Sequence, residues 1–288
     1  MESINRSHYY QSLANLLQIR RGGFRFWSDP DSPVSAMELP RLPDLLHQLA
    51  AETIRESIEL PGNIQAILLR NYKRIRVFRL MTPDGSLIAK TFKLTKLKDR
   101  FRCYSFALAE MANNRKAASL GIPTPRCYLY YEFRPLLLGP VRLCGVLMED
   151  LQKFVSLAYA AAQGQASFFD AIPAILQLFQ TGANHIDPSP VNIFLDPKSK
   201  RYTIIDWQHC RFHAPGNKIQ LILSAAHFLR YAQIEFDSGL WRQWLGQLHQ
   251  ASAIDWPLDL FISKVACLHG KKIHTIDRLT LNATNLGL

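Results

Sequence analysis

The chain is poor in the features that would make it a secreted, metal-stapled or membrane-spanning protein. Its five cysteines, Cys103, Cys127, Cys144, Cys210 and Cys267, are odd in number, widely spaced and contain no CxxC pair. That argues against a disulfide framework and against a paired-cysteine zinc site. His209, Cys210 and His213 stand close together but lack the second pair that a structural zinc needs. The longest apolar runs, around 135–140 and 221–228, are too short or too interrupted to cross a bilayer, so no transmembrane helix is expected. The N-terminus, MESINRSHYYQS, has no basic start followed by an apolar core, and a cytoplasmic location follows as the expectation. Internal repeats and low-complexity tracts are also missing, as is any glycine-rich GxGxxG loop.

What is present describes a folded body. The 288 residues are 48% hydrophobic and 20% charged, near globular averages, and suffice for two lobes with separate cores. The formal net charge is +11. Much of it is concentrated from Arg70 to Arg102, where eleven Lys or Arg face only Asp84 and Asp99, a net of +9. Such a stretch suits an anionic partner: nucleotide phosphate, an acidic glycan, an anionic membrane surface or nucleic acid. Tyr72, Phe78, Phe92 and Phe101 are interleaved with these cations, but their spacing reads as strand packing and no nucleic-acid module is recognisable, so nucleic acid is not expected as a partner.

Along the chain, residues 1–60 read as a helical extension with amphipathic patterns at Tyr9–Ile19 and Leu42–Ile58, broken by Gly22-Gly23 and by the Pro-rich DPDSPVSAMELPRLP. From Ile64 three β-rich runs follow, the second pair joined by Thr82-Pro83-Asp84-Gly85, a turn sequence that predicts an antiparallel meander. A helix is expected over about Tyr104–Leu120, ended by Gly121, Pro123 and Pro125. Two further strands bring the expected sheet to five. After Leu151 the periodicity is almost wholly helical, with short strand-like pieces at Asn192–Leu195 and Tyr202–Ile205 and helices at Ile219–Ala232, Leu240–His249 and Leu258–His269. The expected domains are thus 1–60, a small lobe over 61–147, a connector at 148–151 and a helical lobe over 152–288.

The chemistry-bearing strip is HIDPSPVNIFLDPKSKRYTIIDWQ, from His185 to Gln208. His185-x-Asp187 is followed five residues later by Asn192, and Asp206 ends a strand-like run; phosphoryl transfer asks for residue types of this kind, a carboxylate near the attacking hydroxyl and a second carboxylate and an amide oxygen for a divalent cation. Pro188 and Pro190 forbid a regular helix between Asp187 and Asn192 and leave Asp187 on a loop. Each residue alone could be a turn or capping residue; three at matched spacing are not explained that way.

This pattern resembles the catalytic HxDxxxxN loop and the following metal-binding Asp of the protein-kinase-like superfamily, and over about residues 64–215 the chain looks like the lipopolysaccharide kinase family. The resemblance also takes in Gly-Ile-Pro-Thr-Pro at 121–125 and Val-Leu-Met-Glu-Asp-Leu at 146–151. It implies an α+β, two-lobed fold with a five-stranded antiparallel small lobe carrying one helix. The implied activity is transfer of phosphate from ATP, with Mg²⁺, to a heptose or Kdo hydroxyl of lipopolysaccharide inner core, at the cytoplasmic face of the inner membrane. By resemblance, Asp187 would orient or deprotonate the acceptor hydroxyl, His185 would brace the loop, and Asn192 and Asp206 would hold Mg²⁺. Lys90 would contact nucleotide phosphates and pair with Glu110, with Lys93 as the alternative lysine, and Met148 and Glu149 would flank the nucleotide.

Two departures stand out. Arg-Asn-Tyr-Lys-Arg at 70–74 replaces the glycine-rich loop, and no activation segment follows Gln208. Aminoglycoside and choline kinase relatives share HxDxxPxN and IDW, but residues 214–288 hold only five acids against seven Lys or Arg, a poor basis for an acidic pocket. A non-catalytic kinase-like scaffold is the remaining alternative.

Overall fold

The computed structural model describes residues 9–11, 13–30, 42–51, 57–60, 63–72, 74–96, 99–100, 104–136, 139–271 and 273–286. Lys73, Lys98, Phe101, Arg102, Cys103 and most of the Pro-rich segment lie outside them. Contacts divide the chain into two compact units, one of Met1–Lys116 with Pro125–Asp150 and one of Ala117–Thr124 with Leu151–Leu288.

The first unit is built on one antiparallel sheet. Its strands are β1 (Leu17–Arg21), β2 (Phe24–Ser28), β3 (Ser57–Leu60), β4 (Ile64–Tyr72), β5 (Ile75–Thr82), β6 (Gly85–Lys93), β7 (Cys127–Phe133) and β8 (Leu143–Glu149). Their spatial order is β1-β2-β7-β8-β6-β5-β4-β3, so the sheet has eight strands and not the five expected. The three additional strands come from the segment read as a helical extension. Gly22 and Gly23 both have positive φ, 53° and 80°, and close a tight β1–β2 hairpin instead of breaking a helix. A two-residue hairpin loop of this kind needs φ above zero at both centres, which Gly-Gly adopts without a Cβ clash. The second expected helix survives only as α1 (Leu42–Ala51), and Ser57–Leu60 joins the sheet beside β4.

Alternation along the strands sends side chains to two separate cores. On one face Phe24, Phe26, Phe78, Ala89 and Leu147 pack against Leu45, Leu46 and Leu49 of α1. On the other, Trp27, Phe92, Tyr130 and Val146 pack against Leu108 and Met111 of α2 (Tyr104–Ser119). At the centre of the sheet Gly145 lies between Thr91 and Tyr131 in register. The missing side chain lets the Tyr131 ring cross to the Thr91 hydroxyl, 2.8 Å away, and a Cβ at 145 would stand 2.4 Å from both the Tyr131 hydroxyl and the Lys90 carbonyl oxygen.

The second unit is mainly helical: α3 (Leu157–Ala162), α4 (Ile172–Thr181), α5 (Lys218–Tyr231), α6 (Gly239–Ser252), α7 (Leu258–His269), α8 (Thr275–Thr280) and α9 (Ala283–Leu286). Asn217 caps α5 by accepting from the amides of Ile219 and Gln220, and Ser238 caps α6 through Trp241. Trp207, Trp241 and Trp244 are fully buried, and Phe228 stacks on Trp244 at 4.9 Å. Short strand pairs punctuate the helices: β10 (Ala183–His185) with β13 (Cys210–Phe212), and β11 (Ile193–Leu195) with β12 (Tyr202–Ile204) and β9 (Val155–Ser156). Gln220, wholly buried in α5, donates to the carbonyls of Leu178 and Ala183 at 2.8 and 2.9 Å. It ties the end of α4 to the strand that delivers the Asp187 loop. No described helix is long and apolar enough to cross a membrane.

Candidate active site

In the first unit the structure brings Lys90 and Glu110 together. Lys90 stands on β6 facing α2, on the side occupied by Ile88 and Phe92, and Glu110 projects from α2 to meet it. Their Nζ–Oε2 distance is 2.8 Å, with side chains 11% and 2% exposed. An unpaired charge so placed would be costly, so each residue sets the other's position. Met148 is buried in β8 opposite Ile88. Glu149 is exposed, but both its amide and its carboxylate are engaged by the backbone of Arg126. Asp150, which the sequence offers only as an acid of the 148–151 connector, is 3% exposed and holds Arg79 at 2.8 Å and the Ser86 hydroxyl at 2.7 Å.

The basic stretch in this unit is less available than its charge count implies. Arg74 pairs with Asp99, Arg79 with Asp150 and Lys90 with Glu110. Arg76 donates to the carbonyls of Leu49 and Ala50 at the end of α1.

The second unit gathers His185, Asp187, Asn192 and Asp206. The loop between β10 and β11 is turned by Pro188 and Pro190, and the amides of Asn192 and Ile193 both donate to the Ser189 carbonyl. The Asn192 Nδ2 donates to the Asp187 carbonyl at 3.0 Å, which leaves its Oδ1 as the side-chain group able to ligate a cation. Its own carbonyl accepts from Ile205 at 3.0 Å, fixing Asp206 beside it. Asp206 has φ 69° and ψ 55°, a left-handed conformation that Asp and Asn tolerate better than other residues with a Cβ.

His185 is 2% exposed, and Nε2 lies 2.9 Å from the Ile205 carbonyl. A carbonyl only accepts, so the ring is assigned the Nε2–H tautomer, and its buried Nδ1 has no hydrogen-bond partner among the described residues. Burial, opposed by the Asp206 charge and the Ile205 hydrogen bond, holds this histidine below its ordinary pKa. It is a neutral brace, packed edge-on against Trp207 at 5.0 Å.

His227, Tyr231 and Arg278 were not found from the sequence. His227 Nε2 lies 2.7 Å from Asp187 Oδ1. Burial alone would raise the Asp187 pKa, but the hydrogen bond and charge of His227, a hydrogen bond from Ser189 and the nearby His185 outweigh it, and the carboxyl titrates well below the usual range. Burial is also the largest influence on His227 and lowers its pKa despite Asp187. These directions pull the shared proton opposite ways. An ionised Asp187 accepting from Nε2–H holds in either charge state of the ring. No spacing rule points to a histidine forty residues downstream inside a helix whose neighbours are buried. Asp187, Asp206, Gln208, His227, Tyr231 and Arg278 line a cavity of about 250 Å³.

An ionised carboxylate beside a cavity, with an amide oxygen and a second carboxylate on the adjoining loop, can orient a hydroxyl and hold a hard divalent cation. Both candidate ligands are oxygen donors, as Mg²⁺ requires, and two protein ligands suffice where phosphates and waters complete an octahedron. Among the described residues no cluster of three or more His, Cys, Asp or Glu forms an all-protein metal site.

No family model matches the sequence, and no curated protein matches it. Among solved structures, the chain is similar to WaaP in complex with acyl carrier protein, with 14% identity over 91% of this chain and 99% of that one and a TM-score of 0.53. It also matches the crystal structure of WbdD at 16% identity and a TM-score of 0.44, covering 81% of this chain and about half, 53%, of WbdD. The first likeness shows that the chain has the fold of WaaP.

Proposed function

We propose that the chain is an ATP- and Mg²⁺-dependent kinase that phosphorylates a sugar hydroxyl, heptose or Kdo, of lipopolysaccharide inner core. The observation that carries this reading is the ionised Asp187, fixed by His227 at the mouth of a cavity that Asp206 also lines. Phosphoryl transfer requires positioning and charge neutralisation far more than covalent chemistry, and this arrangement supplies both. The fold shared with WaaP is consistent with this reading, and the acceptor class comes from the sequence resemblance to the lipopolysaccharide kinase family.

In this reading Asp187 accepts a hydrogen bond from the acceptor hydroxyl and aims its oxygen. With so low a pKa it is a weak base, so it orients the nucleophile and takes its proton late, as the new bond to phosphorus forms. Mg²⁺ held by Asn192 Oδ1 and Asp206 would neutralise charge on the nucleotide phosphates. Lys90, positioned by Glu110, is the cation that the first unit would offer to a phosphate oxygen. His185 holds the Ile205 carbonyl and thereby the direction of Asp206. Membrane association at the inner face belongs to the same proposal, because the acceptor is anchored there.

The test is incorporation of labelled phosphate from ATP into dephosphorylated core oligosaccharide by the full chain with Mg²⁺, against Asp187→Asn. Incorporation by the parent protein and its loss in the variant are expected. Absence of incorporation, with ATP giving no metal-dependent thermal shift, would overturn the reading in favour of a scaffold. Turnover with choline or aminoglycosides instead would assign the alternative small-molecule class.

A further inference from the structure

A second cavity, about 310 Å³ in volume, adjoins the first in the same unit and shares three of its lining residues, His227, Tyr231 and Arg278. Its remaining polar lining comes from Arg230, His269 and Lys271, and no Asp or Glu lines it. The cations are held there by the fold. Arg230 ends α5, and its Nη1 donates to the Lys271 carbonyl at 3.3 Å, setting these two residues side by side. Arg278 lies on α8, which is anchored to the strands beside the Asp187 loop. The Arg278 carbonyl accepts from Asn184 of β10 at 2.7 Å, and the Leu279 carbonyl is bonded to the His213 ring at 2.9 Å.

The Arg278 guanidinium is half-buried and forms no salt bridge among the described residues. Burial lowers its pKa and the Asp187 charge, on the wall of the first cavity, opposes that; no carboxylate lines the wall of the second cavity, where an anion would add to its compensation. Arg230 and Lys271 are exposed; Lys271 Nζ donates to Cys267 Sγ at 3.1 Å, and neither forms a salt bridge among the described residues.

We propose that Arg230, Lys271 and Arg278 form a subsite for an oxyanion, phosphate or carboxylate, carried by the acceptor glycan next to the hydroxyl that Asp187 orients. This rests on the kinase reading above and moves acceptor recognition away from the Arg70–Arg102 stretch, where several cations already have partners. Three cations in a cavity that no carboxylate lines favour an anionic acceptor over a neutral or cationic one.

The test uses the full chain and three acceptors that differ in one substituent: a phosphate, a carboxylate, or the neutral methyl ester of that carboxylate. The kcat/KM ratio of each charged acceptor to the neutral one is measured for the parent and for Arg230→Gln, Lys271→Gln and their double variant, with Arg70→Gln as control. Each subsite substitution should lower the ratio roughly tenfold, the worth of one charge-assisted contact, and Arg70→Gln should leave it unchanged. Which charged acceptor loses more identifies the oxyanion. A ratio that persists in the double variant overturns the subsite and leaves the kinase reading standing. So does a double variant that loses only ATP affinity, because the cations would then serve the nucleotide.

A binding arm needs no turnover. Glucose 6-phosphate and galacturonate should bind the parent more tightly than glucose by titration calorimetry, and the preference should vanish in the double variant. That result without phosphate transfer would retain the subsite and remove the kinase, whereas equal binding by parent and variant would overturn the subsite.

Discussion

Replacing Glu110 by Gln leaves the Lys90 ammonium, 11% exposed, without its carboxylate. At 2.8 Å the gross attraction is about 6 kcal/mol for an effective dielectric of 20 and about 1.5 kcal/mol in bulk water. Side chains this buried belong nearer the first figure before desolvation is charged against it. Removal of one partner of such a pair costs about 3–5 kcal/mol, because the other stays buried and charged. Glu110→Gln and Lys90→Met should therefore each lower the melting temperature by roughly 10 °C. The double variant should be more stable than either single one, since an apolar side chain facing a neutral amide has no stranded charge. Calorimetry on the four proteins gives the coupling energy, and hydrogen exchange at β6 amides locates the loss. A coupling under about 1 kcal/mol would refute the argument, since that is the worth of a solvated surface pair.

Three further outcomes are expected. His185 has a folded-state pKa below its unfolded value, so the unfolded chain binds the extra proton and stability falls as pH drops below about 6.5. His185→Gln should flatten the urea-derived stability slope over pH 5–6.5 by up to about 1.4 kcal/mol per pH unit, and an unchanged slope would place the titration elsewhere. Asp206→Asn should keep the left-handed backbone and parental stability yet abolish the Mg²⁺-dependent part of the ATP thermal shift, whereas Asp206→Ala should lose about 1 kcal/mol more. His227→Ala should reduce kcat about 10–100-fold with little change in the KM for ATP. Its acid limb should move upward in pH as Asp187 returns toward ordinary carboxylate behaviour, and a parental profile would deny His227 its positioning role.

The local grammar of the chain was readable where chemistry and spacing agree. The 82–85 turn, the helix ended by Gly121 and the helix Leu258–His269 follow from residues acting on near neighbours. So do Asp187 and Asn192, which the two prolines present on one loop. The first sixty residues were misread because Gly22-Gly23 serves equally as a helix break and as a hairpin turn, and only pairing of β2 with β7 decides between them. His227 and Arg278 were illegible for a related reason. Each looks like an ordinary helix residue until the tertiary fold sets it against a loop forty or ninety residues earlier. Charge counting misled too, since Arg74, Arg79 and Lys90 contribute to the basic total while bound to acids supplied by other elements.

Gly145 offers a way to recognise distant relatives. Its absent side chain leaves room for the Lys90 carbonyl as well as the Tyr131 ring, so enlarging it cannot be compensated by trimming the tyrosine alone; the obstruction on the other side is main chain. Position 145 is thus closed to single-step and paired substitution alike. A search for remote members should weight a glycine four residues ahead of the connector glutamate together with the Asp-Asn-Asp spacing, and should ignore the phosphate-loop glycines that this chain does without.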